Sequence, residues 1–427
     1  MFRQYLQQSF YHLRENPVIT WVSLLGTALS ICMIMVVVIT LRARTADCAP
    51  EVNRSRTLYV PNMTARPKGA TDGGMNSRMS VQTGRECFKA LTTPEAVTLY
   101  ADVEKVRASL PAGRKLAADM RQVDTDFWHV FQFRFLDGKP FTEADFQSAL
   151  PRVVIAADVA RRLFGQTEGV TGRHLLLNHV DYQVAGVVAD VSMLAADSYA
   201  QLWIPYTCGT AEANTWGYNL MGPMHAAILA RSTADFPAIR EECERLRQKY
   251  NDAQPDMEVV YLGQPDTHFT HLYRTWSEVP DMQSVILRYM AVLLILLIVP
   301  AINLSGMTHS RMRRRMAEIG VRKAFGATGG ELLRQVFVEN LLLTLIAGLL
   351  GLGLSYAATF LLNGFLFGTS ANAYMAGETT LTAGQLLSPW IFLAAFLFCL
   401  VMNVLSSGIP AWRASRMNIV EAINQKE

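Results

Sequence analysis

Charge is scarce in this chain. Only 18% of its 427 residues are Asp, Glu, Lys or Arg, against 51% hydrophobic. A soluble globular chain carries about 25% charge, so a wholly soluble protein is disfavoured. The mean hydropathy of +0.17 is nevertheless too low for a chain embedded in membrane throughout. A few membrane spans plus one large water-exposed region satisfy both numbers. Six cysteines exclude a disulfide scaffold, and the apolar content excludes intrinsic disorder. Phosphate-loop chemistry is missing as well. The one Gly-Lys pair, Gly138-Lys139, precedes Pro140 and lacks the upstream glycine. Gly326-Ala327-Thr328-Gly329-Gly330 has no lysine and follows a helical pattern, so it reads as a turn between helices. The chain is not expected to hydrolyse ATP itself. There is no Gly-x-Ser-x-Gly elbow. His268-Phe269-Thr270-His271 has no second ligand pair at a standard spacing, so it reads as a surface or loop segment. His174 and His179 read as non-ligating too. No metal site and no catalytic set is expected.

Long apolar runs are what the chain does have. A bilayer core about 30 Å thick needs about 20 apolar helical residues. Val18–Leu41, Leu341–Leu362 and Pro389–Ile409 carry no charge, and a shorter run, Tyr289–Ile302, extends back through Ser284–Arg288. Arg288 can snorkel to an interface, and Pro300 would kink that helix without ending it. The first run is too long for a signal-peptide core of about 7–15 residues and lacks an A-x-A site. Cys48, preceded by Ala46-Asp47, is a poor lipid-attachment match. An anchor is expected. Before it, Phe2, Tyr5, Leu6, Phe10 and Leu13 recur at helical spacing beside Arg3 and Arg14, which suggests a helix on the membrane surface ending at Pro17.

Basic residues set the orientation. Met307–Gln335 holds seven Lys and Arg against two Glu, whereas Asn363–Ser388 holds no Lys or Arg and one Glu. Arg413, Arg416 and Lys426 lie in the tail. Both termini and the basic loop should therefore be cytoplasmic, with Arg42 and Arg44 as weak counter-evidence. The +3 total then splits into −4 over residues 43–283 and +7 over the rest. The basic residues lie beside spans, where anionic lipid is the default partner; nucleic acid is not expected.

The fold class that follows is an α-helical integral membrane protein with four transmembrane helices and a large α+β extracytoplasmic domain between the first and second. The expected division is 1–17 surface helix, 18–41 span one, 42–283 outer domain and stalk, 284–306 span two and 307–335 cytoplasmic region. Span three at 336–362, an outer loop at 363–388, span four at 389–409 and a tail at 410–427 complete it. Within the outer domain, Thr57–Pro61, Val153–Ala157, His174–Leu177, Tyr182–Val188 and Met257–Tyr261 read as strands. Asp158–Phe164, stopped by Gly165, and Phe236–Tyr250 read as helices. Thr93–Ser109 reads as a helix as well, with Thr93 as cap, Pro94 first, and Val97, Tyr100 and Val103 at helical spacing. Residues 43–90 read as polar and loop-rich, with Lys68–Gly74 a loop. Cys32 and Cys399 fall in spans; Cys48, Cys87, Cys208 and Cys243 lie outside, free or paired in any of three ways.

The basic loop carries more than orientation requires. Glu318 lies three residues after Arg315 and four before Arg322, so ion pairs on one helix face are feasible. Apolar Ile319, Val321, Ala324 and Phe325 beside a turn suggest a short helix offering an apolar face to a partner. A second helix, Gly330–Asn340, runs into the third span with Glu339 at its edge.

Arg315-Met-Ala-Glu318-Ile319-Gly320-Val321-Arg322-Lys323-Ala324-Phe325-Gly326-Ala327-Thr328 resembles the hallmark of FtsX/MacB-type ABC permeases, as does Glu339 in its place. Pro410-Ala-Trp-Arg413-Ala-Ser-Arg416, running on to Glu421-Ala422-Ile423, is similar to the family's closing motif. Asp137-Gly138-Lys139-Pro140-Phe141, Val153–Gly165 and Tyr182–Asp190 resemble the MacB-like extracytoplasmic core. Lys139 departs from the family's usual arginine, and residues 62–86 form a long polar insert. The resemblance implies a bacterial inner-membrane permease, a homodimer or a heterodimer with a related permease, working with a separate ABC ATPase that holds ATP and Mg²⁺. This chain itself would hold no cofactor. Glu318–Thr328 would dock in the ATPase, Glu339 and the arginines would hold that helix at the membrane, and Trp276–Arg288 would continue span two outward as a stalk. An extracytoplasmic adaptor or outer-membrane channel would be a further partner. Export or extraction of a drug, peptide or lipoprotein is the implied activity. A signalling adaptor that activates a cell-wall hydrolase, or a membrane-anchored receptor or enzyme without an ATPase, are the alternatives.

Overall fold

The structure, a computed structural model, describes residues 17–71, 73–111, 113–276, 278–295, 298, 328–362, 366 and scattered positions from 390 to 401. It divides into two units. One holds Met1–Arg42, Gln283–Leu366 and Thr382–Glu427; the other holds Ala43–Met282 and Phe367–Leu381.

In the first unit, helix α1 spans Pro17–Thr45. Proline fits the opening turn of a helix because the N–H it lacks would have no partner there. Two helices among the described residues are long and apolar enough to cross a membrane, over Thr20–Thr45 and Leu341–Leu361; Met282–Ile295 is a shorter apolar helix. Trp21, Leu25, Leu29 and Met33 of α1 are exposed, while Leu24, Ala28, Ile31 and Met35 are buried. The buried stripe packs on Leu343, Ala347, Leu352 and Tyr356 of the helix Gly329–Leu361. Gly351 makes this approach close: a Cβ there would lie 2.6 Å from the Ala28 carbonyl oxygen. Ser30, Thr40 and Thr359 turn their hydroxyls back onto carbonyls of their own helices, which satisfies them without water.

The second unit is α+β. Its strands are β1 (Thr57–Val60), β2 (Met63–Pro67), β3 (Met75–Ser77), β4 (Ala96–Ala101), β5 (Glu104–Ser109), β6 (Lys115–Val123) and β7 (Phe135–Gly138). They continue as β8 (Arg152–Ala156), β9 (His174–Leu177), β10 (Val180–Val188), β11 (Leu202–Pro205), β12 (Met224–Leu229), β13 (Met257–Val260) and β14 (Asp266–Thr267). Eleven of them form one sheet in the order β11-β8-β10-β9-β5-β6-β4-β12-β1-β14, with β7 on β10. Strand β11 also pairs in parallel with β6, so β11, β8, β10, β9, β5 and β6 close into a ring. Side-chain alternation fills both sides of it. Val153, Ile155, Leu202 and Ile204 enter one core, and Val154, Ala156 and Trp203 the other. The ring thus has no free edge between its six members.

Three expectations need correction. Thr93–Ser109 is two strands, β4 and β5, not a helix. Its apparent cap is used differently: the Thr92 and Thr93 N–H groups donate to Glu242 of the helix Phe236–Ala253. Strand β4 is buried on both faces, so no alternation marks it. The Thr98 hydroxyl and Leu99 N–H both donate to buried Asp124, 25 or more residues away. Second, the region 43–90 is more ordered in type than its polarity suggests. Strands β2 and β3 join β13 in a separate antiparallel sheet, and Val81–Gly84 runs as a helical turn into a wider turn at Arg85–Lys89. Third, no helix runs back to Trp276. That residue sits at φ 51 in a turn, and the helix starts at Met282, after Pro280. The other strand and helix expectations within the outer domain agree, including Ala157–Phe164 stopped by left-handed Gly165; the expected surface helix before Pro17 and the later parts of the expected second and fourth spans lie outside the described residues. Cys32, Cys87, Cys208 and Cys243 are free thiols.

Candidate functional site

Most of the expected coupling residues lie outside the described residues: Arg315, Glu318, Ile319, Gly320, Val321, Arg322, Lys323, Ala324, Phe325, Gly326 and Ala327, as do Pro410, Arg413 and Arg416. Thr328 is exposed just before the helix Gly329–Leu361, and Glu339 lies within that helix, ahead of its apolar run. The segment Gly330–Asn340 and the apolar run that follows it are therefore one continuous helix, Gly329–Leu361.

The matched outer motifs turn out to be architectural. The Asp137 carboxylate accepts the Val170 N–H at 2.8 Å and the Thr171 N–H at 3.1 Å, and these amide bonds hold its pKa below the usual range. Gly138 faces Gly186 in the β7–β10 ladder. Phe141 packs edge-on to Trp128 at 5.6 Å. Asp190 accepts the Asp158 N–H at 2.7 Å and pairs with Arg161, tying a helix start to the end of β10.

A polar cluster that the sequence did not reveal joins the two connectors of the outer domain. The entry connector follows α1; the exit connector runs from β14 through the short helix His268–His271. Both meet the loop Leu194–Tyr199. From the entry side, buried Arg54 donates to Glu51 at 2.7 Å, to the Ala46 carbonyl at 2.7 Å and to the Leu194 carbonyl at 2.6 Å. Glu51 in turn accepts the N–H and hydroxyl of Ser198, each at 2.9 Å. From the exit side, His271 Nε2 lies 3.2 Å from Asp197, with its ring stacked on Tyr59 at 4.8 Å. The sheet contributes Tyr100, whose hydroxyl donates to Asp197 at 2.8 Å. It also contributes Arg121, which donates to the Ala196 and Tyr199 carbonyls. His268 Nε2 donates to the Arg44 carbonyl at 3.0 Å, linking exit to entry directly.

The electrostatics follow from burial and pairing. Burial alone would raise the Asp197 carboxyl, but His271 and the Tyr100 hydroxyl hold it well below the carboxylate range. Burial would lower His271, and Asp197 outweighs it, so His271 is raised. Burial and the Arg54 charge lower His268; facing a carbonyl oxygen, its Nε2 is the donor to Arg44. The reading of His268–His271 as surface or loop is thus overturned: the segment is a helical turn, with His268 buried. Among the described residues no group of three metal-ligating side chains occurs. Elsewhere, Lys105, Arg107 and Lys115 line an open pocket of about 430 Å³ with Val106, Leu116, Asn178 and His179.

The chain thus joins an α+β domain built on a closed strand ring to apolar helices, two of which among the described residues are long enough to cross a membrane. The family model of the MacB-like periplasmic core domain matches residues 20–246, and that of the FtsX-like permease C-terminal region matches residues 290–419. The chain belongs to the FtsX/MacB-type ABC transporter permeases. It is 28% identical over 318 residues to the macrolide export ATP-binding/permease protein MacB 1 of Yersinia pestis, covering 72% of this chain and 43% of that protein. It is 27% identical over 307 residues to the pyoverdine export ATP-binding/permease protein PvdT of Pseudomonas savastanoi pv. phaseolicola, covering 71% and 42%. The chain spans less than half the length of these curated relatives. The extracellular domain of the ABC-type transporter YknZ from Gram-positive bacteria aligns with a TM-score of 0.34 and 14% identity, covering 47% of this chain and 99% of that one. The periplasmic region of MacB from Actinobacillus actinomycetemcomitans aligns with a TM-score of 0.34 and 15% identity, covering 48% and 90%.

Proposed function

We propose that this chain is the permease subunit of an ABC exporter, in which a separate ATPase moves the extracytoplasmic domain. The observation that carries the proposal is that a MacB-like periplasmic core domain and an FtsX-like permease region occur in order on one chain. The relatives' names, macrolide export and pyoverdine export, favour export over signalling. On this proposal the chain crosses the bacterial inner membrane four times, with both termini cytoplasmic, and works as a dimer. ATP and Mg²⁺ belong to the ATPase. Glu318–Thr328 docks in that subunit, with Ile319, Val321 and Phe325 as the apolar contact. Glu339 and the Arg311–Arg315 cluster hold the docked helix at the membrane. Coupling arises because the docked segment makes different contacts in the two ATPase states.

Glu318→Ala and Phe325→Ala, each in the full chain expressed with its ATPase, test this. Loss of ATPase co-purification and of stimulated hydrolysis is expected. Intact co-purification and hydrolysis in both variants would reject the docking role. Photo-crosslinking from the outer domain identifies what it handles: capture of exported molecules is expected, whereas capture of a cell-wall hydrolase would replace export by signalling.

A further inference from the structure

We infer that the loop Leu194–Tyr199 is a clasp holding the entry and exit connectors of the outer domain together as one mechanical body, with Glu51, Asp197 and His271 as its positioning residues. Six consecutive residues receive all the partners. The entry connector reaches them through Arg54 on the Leu194 carbonyl and Glu51 on Ser198. The exit connector reaches them through His271 on Asp197. The central sheet reaches them through Tyr100 on Asp197 and Arg121 on the Ala196 carbonyl. The loop is itself fixed from below, where the Trp203 indole donates to the Ser198 carbonyl at 3.2 Å. The direct bond from His268 to the Arg44 carbonyl closes the circuit between the connectors.

The bonds made by Arg54, Glu51, Arg121 and Asp197 are charge-assisted and largely shielded from water, so each is stronger than a surface equivalent. Glu51 and Arg54 have side chains only 1% exposed. On the exit side, Asp266 and Arg274 form a second buried bidentate pair, with side chains 3% and 1% exposed. That pair stiffens the exit connector between β14 and the turn before Met282. Removing one partner from such a network leaves the other buried and unsatisfied. The disturbance therefore spreads through the loop instead of ending at the mutated side. A displacement arriving on either connector reaches the sheet through these six residues as well as through the paired strands β1 and β14, with which the connectors are continuous.

The inference rests on contacts within the outer domain and holds whether or not the exporter reading is right. Hydrogen exchange with mass spectrometry on the full purified chain reads it without any transport assay. The reporters are the entry amides of Cys48 and Arg56 and the exit amides of Leu272, Tyr273 and Arg274, all hydrogen-bonded within their own connectors. Glu51→Gln lies on the entry side and His271→Gln on the exit side. Each is expected to speed exchange in both connectors by about tenfold or more, the effect of one lost charge-assisted bond. Amides of β4 and β12 act as controls and should hold. If Glu51→Gln frees only the entry, or His271→Gln only the exit, the clasp is rejected. Should either variant release the control strands as well, Ser198→Ala is decisive. It removes one of the two bonds to Glu51, and it must raise exchange on both sides to sustain the clasp; a one-sided or absent rise rejects it.

Discussion

Gly138 and Gly186 face each other across two strands with no room for a side chain on either. A Cβ on Gly138 would lie 2.3 Å from the Ala185 carbonyl oxygen and 2.5 Å from the Thr171 hydroxyl; one on Gly186 would lie 2.8 Å from the Lys139 carbonyl oxygen. Gly138 also sits at φ 65. A left-handed conformation costs an L-residue about 1–2 kcal/mol, and overpacking adds about 1–3 kcal/mol. Gly138→Ala should therefore lower stability by about 2–5 kcal/mol, which for a domain of this size is roughly 5–20 °C in melting temperature. Gly165→Ala, at φ 79 with open space around it, should lose only the backbone part. Equal melting temperatures for the two variants would contradict the close approach.

The Asp197–His271 pair predicts a pH signature. His271 is raised in the folded chain, so its contribution is complete below the unfolded histidine range and is lost as pH rises through its folded value. Asp197 is depressed, so its contribution is present above the unfolded carboxylate range and is lost as pH falls. His268, lowered by burial, runs opposite to His271, so the wild-type curve alone is ambiguous. The difference between wild type and His271→Gln isolates the pair. That gap in melting temperature should be larger at pH 6 than at pH 9. A gap that stays constant or widens with pH would show that no ion pair forms.

The thiols of Cys87 and Cys243 are both pushed up to about 12 by burial, and Cys208 to about 11. Since the thiolate is the reactive form, a maleimide should leave Cys87 and Cys243 unlabelled in the native chain at pH 7 and label both after denaturation. Intact mass checks this. Rapid native labelling of either would mean that the Cys243 face of the helix Phe236–Ala253 is not packed into the core that holds Cys87.

Gly351 should be the sensitive glycine of the apolar helices. Its Cβ position is 2.6 Å from the Ala28 carbonyl oxygen and 2.9 Å from Ile31 Cβ, while Gly353 has nothing within 4 Å. Helices in lipid associate through such small-residue contacts. Gly351→Val should reduce the melting temperature in detergent, by the equivalent of about 1–3 kcal/mol. Gly353→Ala should change little. The reverse order would place this helix face against lipid.

Much of the outer domain was legible because its local signals agree with its fold. Val153–Ala156, His174–Leu177 and Tyr182–Val188 are short branched or apolar runs bounded by turns, and Gly165 stops its helix where a left-handed residue is needed. Ala96–Ala101 was misread because a strand buried on both faces shows no alternation, and its partner Asp124 is distant in sequence. The connector cluster was illegible for the same reason. His268 and His271 look like an isolated pair until Asp197 and Tyr100, each more than 70 residues away, are brought beside them.

Composition and the long apolar runs by themselves pointed to a membrane protein, and the motifs Arg315–Thr328, Pro410–Ile423 and Asp137–Phe141 carried the resemblance to its family, because hydrophobic length and motif spacing are properties of the chain in line. Which residues carry the load between the connectors was decided only in three dimensions. Glu51, Asp197 and His271 are unremarkable polar residues alone, and their strength comes from shared burial, which no linear spacing encodes.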